Sequence, residues 1–173
     1  MDLNALLRTV PDFPKKGIMF KDITTILKDP SALKYCIDTM ADQYRDQGIT
    51  KVIGIESRGF IIGAALAYQL GAGFIPIRKP GKLPAETLRQ EYQLEYGTDV
   101  IEIHKDAVIQ GERVLIHDDV LATGGTMNAA CSLVNRLGGE IVGLSFIIEL
   151  AFLQPRKKLP AVNVFSLLQY NEE

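Results

Sequence analysis

VLIHDDVLATGGT, from Val114 to Thr126, packs three structural signals into one segment of a 173-residue chain. Val114, Leu115 and Ile116 form the aliphatic, partly β-branched run of a buried strand. Gly124-Gly125 suits a tight turn that a residue with a Cβ would resist. Ala129, Ala130, Leu133, Val134 and Leu137 then recur at helical spacing and predict a helix ending near Gly138-Gly139. The implied order is strand, acids, turn, helix.

In that order the backbone N–H groups of Ala122 to Thr126 point out of the turn beside the positive end of the helix, a cup suited to a phosphate monoester. Thr123 and Thr126 add hydroxyl donors. Asp118 and Asp119, at the carboxyl end of the strand, only accept when ionised, which suits sugar hydroxyls. The segment reads as a cradle for a ribose 5-phosphate. From the residues alone, the alternative is an ordinary glycine-rich turn after a strand that ends in two acids.

Working outward, Lys51–Ile55 predicts a strand, Phe60–Leu70 a helix closed by Gly71, and Phe74–Ile77 another strand. Ile141–Ile148 continues the alternation beyond the central segment. Strands separated by helices imply an α/β fold: a mainly parallel twisted sheet flanked by helices, with ligands gathered at the carboxyl ends of the strands. Upstream, Leu3, Leu6 and Leu7 suggest a short amphipathic helix, Pro11, Pro14 and Gly17 an irregular segment, and Asp22 the start of a second short helix. Asp29 caps the next helix, with Pro30 in its first turn, Leu33, Cys36, Ile37, Met40 and Tyr44 on its buried face, and Gly48 at its end. Lys79–Asp99 is broken by Pro80, Gly81, Pro84 and Gly97 and is otherwise polar. A long insertion of this kind in a compact domain is more often a lid than a passive connector, with a mobile surface hairpin as the alternative.

With 47% hydrophobic residues the chain can bury one core, so residues 1–173 are expected to form a single domain. A net charge of -2 with scattered basic residues provides no field for a nucleic-acid backbone. No stretch approaches membrane-spanning length, and the N-terminus lacks a charged start followed by an apolar run. Cys36 and Cys131 lie far apart on core-facing helical positions, which predicts buried free thiols and a cytoplasmic protein. There is no GxGxxG after a strand and no GxxxxGK[ST], which argues against a dinucleotide oxidoreductase or a P-loop kinase.

VLIHDDVLATGGT resembles the phosphoribosyl pyrophosphate (PRPP) signature of the type I phosphoribosyltransferases. DFPKKGIMFKDIT near the start, ESRGF at Glu56–Phe60, RKPGKLP at Arg78–Pro84, LEYG at Leu94–Gly97 and FSLLQY near the end extend the resemblance, from about Pro11 to Tyr170, to that family's adenine-using members. His117 stands where the family usually has an aliphatic residue, Val120 replaces a commoner leucine, and Lys16 a frequent proline.

The resemblance implies the type I phosphoribosyltransferase fold, with a small N-terminal hood over about 1–30 and a lid over about 79–99. It implies conversion of adenine and PRPP to AMP and pyrophosphate by a homodimer, with magnesium bound through substrate and water rather than through a protein cage. Asp118, Asp119, Ala122, Thr123, Gly124, Gly125 and Thr126 would hold ribose and phosphate. Ser57 and Arg58, expected to be joined by a cis peptide bond, would bind pyrophosphate, with positive charge from Arg78, Lys79 and Lys82. Phe20 would stack on adenine with Leu150 opposite, while the backbones of Met19 and Lys21 read its edge. Glu95, in the lid, would handle the proton.

Each of these residues also has a plainer reading. The basic cluster suits a solvated surface, Phe20 and Leu150 suit core packing, and Glu95 a solubilising charge. His117 reads as a packing or hydrogen-bonding residue and His104 as exposed on an edge strand. Two other functions use the same sugar cradle: a phosphoribosyltransferase selective for another purine, and a non-catalytic PRPP sensor.

Overall fold

The computed structural model describes residues 1–93 and 97–172. Its centre is a five-stranded sheet built from β3 (Lys51–Ile55), β4 (Gly73–Ile77), β7 (Arg113–Leu121), β8 (Glu140–Leu150) and β9 (Asn163–Tyr170). The spatial order is β4-β3-β7-β8-β9, and every neighbouring pair is parallel. Parallel neighbours need crossovers, and α3 (Gly59–Leu70) and α4 (Gly125–Leu137) supply those between β3 and β4 and between β7 and β8.

Alternation along the strands divides the core between the two faces. Ile53, Ile55, Val114 and Ile116 pack toward Met127, Leu133 and Val134 of α4, whereas Val52 and Leu115 pack toward Ile62 and Leu66 of α3 and toward Cys36, Met40 and Tyr44 of α2 (Pro30–Tyr44). The expected cap of α2 is present: the Asp29 side chain accepts from the Ala32 N–H at 2.8 Å, with Pro30 at the first position. Both cysteines are buried and free, and burial pushes their thiols up to about 11 for Cys36 and about 12 for Cys131.

The peripheral elements differ more from the expectations. Leu3–Leu7 makes a single turn, with Leu7 N–H donating to the Leu3 carbonyl, and does not extend to a helix. So short a segment does not repay helix nucleation by itself. β1 (Arg8–Val10) instead pairs antiparallel with β2 (Phe20–Asp22), and the short helix after Asp22 is α1 (Thr24–Leu27). Within the insertion, β5 (Thr87–Gln93) pairs antiparallel with β6 (Thr98–His104), so the polar segment is a hairpin whose inner face, Tyr92, Ile101 and Ile103, joins the core beside α4. His104 is half-buried rather than exposed, and its Nε2 is enclosed without a hydrogen-bond partner. Among the described residues, no helix is long and apolar enough to cross a membrane.

Candidate active site

At the carboxyl ends of β3, β7 and β8 lies a cavity of about 600 Å³. Its wall includes Met19, Phe20 and Lys21 from the N-terminal hairpin, Ser57 and Arg58 after β3, Lys79 after β4, Asp118, Asp119, Ala122 and Thr126 from β7 and the turn, and Leu150 at the end of β8. These residues are scattered over 132 positions of sequence from Met19 to Leu150; those after β3, β4, β7 and β8 face one space because parallel strands deliver their exits to the same edge, and the N-terminal hairpin adds Met19, Phe20 and Lys21. Thr123 and Gly124 line a smaller hollow of about 70 Å³ that shares Asp118, Ala122 and Thr126 with the main cavity.

β7 runs on to Leu121, five residues beyond the expected Ile116, because its pairing with β8 continues through Val120 opposite Ile148 and Leu121 opposite Glu149. Asp118 and Asp119 are therefore inside the strand, not past its end. Successive strand residues point to opposite sides. Asp119 is buried and ion-paired with Arg58 Nε, while the Asp118 Oδ1 accepts from the Asp119 N–H at 2.9 Å. Burial and the adjacent Asp119 carboxylate push the Asp118 carboxyl well above the ordinary range. Burial works against the charge on Arg58, but Asp119 outweighs it and keeps the guanidinium firmly protonated. The Arg58 guanidinium also lies 5.5 Å from the centre of the Phe20 ring, whose edge meets Phe13 at 5.1 Å.

The turn after β7 has the expected form. Gly124 is the N-cap of α4 at φ +81, a left-handed conformation, and its carbonyl accepts from the Asn128 N–H at 2.9 Å as the helix begins. A Cβ on Gly124 would stand 2.8 Å from the Pro155 carbonyl oxygen, so the turn also requires a bare α-carbon for packing.

The basic residues after β4 are not equivalent. Lys79 lines the cavity, its ammonium paired with Asp99 and 3.3 Å from the Tyr92 hydroxyl; burial favours loss of its proton, but these partners hold it charged. Arg78 stands behind the wall, where Nε and Nη2 donate to Glu56 at 3.2 and 3.3 Å, and Nη1 donates to the Lys82 carbonyl at 3.3 Å. Lys82 is exposed. Glu56 also accepts from the Lys79 N–H at 2.8 Å, so its carboxylate ties the loop after β3 to the loop after β4. Burial alone would raise the Glu56 pKa, but these donors outweigh it and hold the carboxyl below its usual value.

The cis peptide bond is between Glu56 and Ser57, one bond earlier than expected between Ser57 and Arg58. It falls where β3 ends at Ile55 and the chain leaves the sheet toward α3, a step sooner than the Ser-Arg pair itself suggested. Gly125 lies at the first position of α4 and lines neither cavity. Glu95 lies outside the described residues. His117 packs as expected: it is fully buried, with Nδ1 3.0 Å from the Ser145 hydroxyl, and burial lowers its pKa to about 3.

Sequence reasoning passed over Glu56, Tyr92 and Asp99. Glu56 was available in the ESRGF block, as the acid beside its arginine. Tyr92 and Asp99 are opposite each other across the hairpin, a pairing that requires the register of β5 and β6. Among the described residues no three carboxylate, histidine or cysteine side chains converge as a metal cage.

Comparison with known proteins agrees with this geometry. Residues 22–172 match the model of the phosphoribosyl transferase domain. An adenine phosphoribosyltransferase of Solibacter usitatus is 60% identical over 171 residues, covering 99% of each chain. The crystal structure of adenine phosphoribosyltransferase from Rhodothermus marinus superposes with a TM-score of 0.93 at 58% identity, covering 97% of this chain and 96% of that one. The enzyme from Saccharomyces cerevisiae, complexed with an imino-altritol bisphosphate and adenine, superposes at 0.91 with 41% identity, over 96% and 97% of the two chains. The chain belongs to the phosphoribosyl transferase domain family and, within it, to the adenine phosphoribosyltransferases.

Proposed function

We propose that this chain joins adenine to the ribose 5-phosphate of PRPP, giving AMP and pyrophosphate in purine salvage. The observation that carries the reading is one cavity bordered at once by Ala122 and Thr126 of the turn after β7, the paired aspartates, the cations Arg58 and Lys79, and the apolar pair Phe20 and Leu150. Its volume is in the range of small-molecule sites. The yeast relative was solved in complex with adenine and an imino-altritol bisphosphate, ligands of the base and phosphate kinds that this reading assigns to the cavity.

In this reading the turn Ala122–Thr126, with Gly125 at the helix start, holds the 5′-phosphate. Asp118 and Asp119 accept from the ribose hydroxyls and stabilise positive character on the ring. Ser57, Arg58 and Lys79 hold the pyrophosphate, with Arg78 and Lys82 adding to the local field. Phe20 and Leu150 flank the purine, while a carbonyl and an N–H from Met19 and Lys21 match the amine and ring nitrogen of adenine and reject a 6-oxo purine, whose polarity is reversed. The purine N9 bonds to C1 as the bond from C1 to pyrophosphate breaks, with inversion. The proton released from the purine passes to Glu95, which lies outside the described residues. Most of the acceleration then comes from positioning, charge stabilisation and exclusion of water under the hairpin lid.

Asp118 and Asp119 are hard oxygen donors in the cavity wall, which fits magnesium held mainly by phosphate oxygens and waters. When bound, that ion neutralises the departing pyrophosphate. The free buried thiols fit a cytoplasmic enzyme. The exposed apolar residues Ile61 and Tyr68 of α3 fit a homodimer, a state that sedimentation would measure.

The deciding assay incubates purified protein with PRPP, magnesium and each purine base in turn. AMP from adenine, and little product from hypoxanthine, guanine or xanthine, is the expected result. Tight PRPP binding with no product from any base would instead indicate a sensor.

A further inference from the structure

Glu149, next to Leu150 at the end of β8, is a carboxylate with only 2% of its surface exposed. It accepts a two-pronged pair from Arg156, Nε to Oε1 and Nη2 to Oε2, both at 2.7 Å. Its Oε2 also accepts from the Ser166 hydroxyl at 2.8 Å and the Gln169 amide at 3.2 Å, both on β9. A buried carboxylate persists only with such partners, and an apolar pair of similar volume would join the strands without the desolvation cost. What the charged network adds is direction, since a planar fork on a carboxylate fixes both distance and orientation.

The segment fixed by that fork connects the two halves of the site. Residues 151–158 form two 3-10 turns, Ala151–Leu153 and Pro155–Lys158, joined through Gln154 at φ +52. Arg156 anchors this irregular segment to β8 and β9. Its neighbour Pro155 is buried, with its carbonyl against the α-carbon of Gly124. At the other end, Leu150 pairs with Tyr170, whose ring carries the Lys21 ammonium 4.6 Å from its centre.

We infer that Glu149 and Arg156 are positioning residues: a clamp, centred on the buried Glu149 carboxylate, that sets Leu150 on the base side and Gly124 in the phosphate turn at a fixed separation, so that one nucleotide spans both. The inference rests on the reading that Leu150 borders the base and that the turn at Ala122–Thr126 holds the phosphate. Neither Glu149 nor Arg156 lines the main cavity, so the effect travels through Leu150 and Pro155.

The test uses the full chain and measures binding of AMP and of ribose 5-phosphate by calorimetry, beside kcat, KM and the thermal midpoint. Arg156→Met keeps the aliphatic stem and removes the fork. It should weaken both ligands by about tenfold and raise KM for both substrates, with kcat changing less. Arg156→Lys, which keeps charge without the fork, should recover only part of the loss. Both affinities within about twofold of wild type, at a temperature where Arg156→Met is folded, would overturn the clamp whatever its midpoint. Should Arg156→Met not fold, Arg156→Lys carries the same comparison: weakened binding of both ligands supports the clamp, and wild-type affinity overturns it. Leu150→Ala separates the two levels. Wild-type AMP affinity there removes the base-side reading and the clamp with it, whereas weakened AMP binding there beside wild-type binding in Arg156→Met removes the clamp alone.

Discussion

Arg58 and Asp119, 61 residues apart, meet across the cavity through Nε and Oδ2, joining the loop after β3 to the far end of β7. Asp119 keeps 6% of its side-chain surface exposed and Arg58 44%, so losing Arg58 leaves the Asp119 charge poorly solvated, whereas the guanidinium keeps contact with water if Asp119 is lost. Arg58→Gln and Asp119→Asn should each lower kcat/KM for PRPP. Combined, they should cost less than the two losses added as free energies, with a coupling of about 1 kcal/mol given the exposed guanidinium. Steady-state kinetics on the two single variants and the double variant checks this, and strictly additive losses would show that the pair does not act as a unit.

Gly124→Ala tests the turn itself. At φ +81, with the Pro155 carbonyl oxygen 2.8 Å from the new methyl position, alanine is strained and also displaces a neighbouring backbone. The expected cost is about 1–3 kcal/mol of stability, seen in urea unfolding. KM for PRPP should rise about tenfold while KM for adenine moves less. A variant with unchanged PRPP KM would show that the turn does not hold the phosphate.

How legible the site was depended on whether its parts are local. The turn at Gly124 is local: the left-handed residue, the helix start and the preceding strand all lie within Arg113–Leu137, and each leaves its mark on residue type. The extent of β7 is not local. Asp118 and Asp119 are poor strand formers, yet pairing with Phe146, Ile148 and Glu149 carries the strand through them. Among the described residues of the hairpin, Tyr92, Ile101 and Ile103 are the buried apolar side chains, Glu102 is buried as well, and the rest are largely polar, so alternation along Thr87–Gln93 is weak. Glu149 and Arg156 are seven residues apart, and nothing short of the path of the 3-10 turns reveals that they meet.

His117 should govern part of the acid sensitivity of the fold. Burial depresses its pKa to about 3, whereas in the unfolded chain it titrates near its ordinary 6.5. Between those values the unfolded state holds a proton that the folded state refuses, so stability is full above the unfolded value and is lost as pH falls. The slope from this group approaches about 1.4 kcal/mol per pH unit. His117→Leu with Ser145→Ala, which removes both members of the buried pair, should flatten the dependence of unfolding free energy on pH between 6 and 4. An unchanged slope would assign the acid sensitivity to other groups.

Glu95→Gln should lower kcat by about a hundredfold while leaving PRPP affinity nearly intact, because a glutamine fills the same space without exchanging a proton. Single-turnover measurements with saturating adenine and PRPP give the chemical step directly. Unchanged turnover would move proton transfer to another group or to water, without altering the reaction.

If Asp118 accepts from the ribose as proposed, ligand binding should itself depend on pH. Its folded carboxyl titrates well above the usual value because it is half-buried, poorly hydrated and beside Asp119, so between the two values the empty protein holds a proton that the unfolded chain has lost. Stability from this group therefore falls as pH rises through that window. Ribose hydroxyls need an acceptor, which favours the ionised form, so binding must release that proton and affinity must rise with pH, by up to about tenfold per unit below the folded value. The phosphate monoester of the ligand also titrates, near about pH 6, so wild type has to be compared with Asp118→Asn. Calorimetry of ribose 5-phosphate binding in two buffers of different ionisation enthalpy counts the protons released. Release that is greater in wild type than in Asp118→Asn is the expected result, and equal release would mean that Asp118 is already ionised before the sugar arrives.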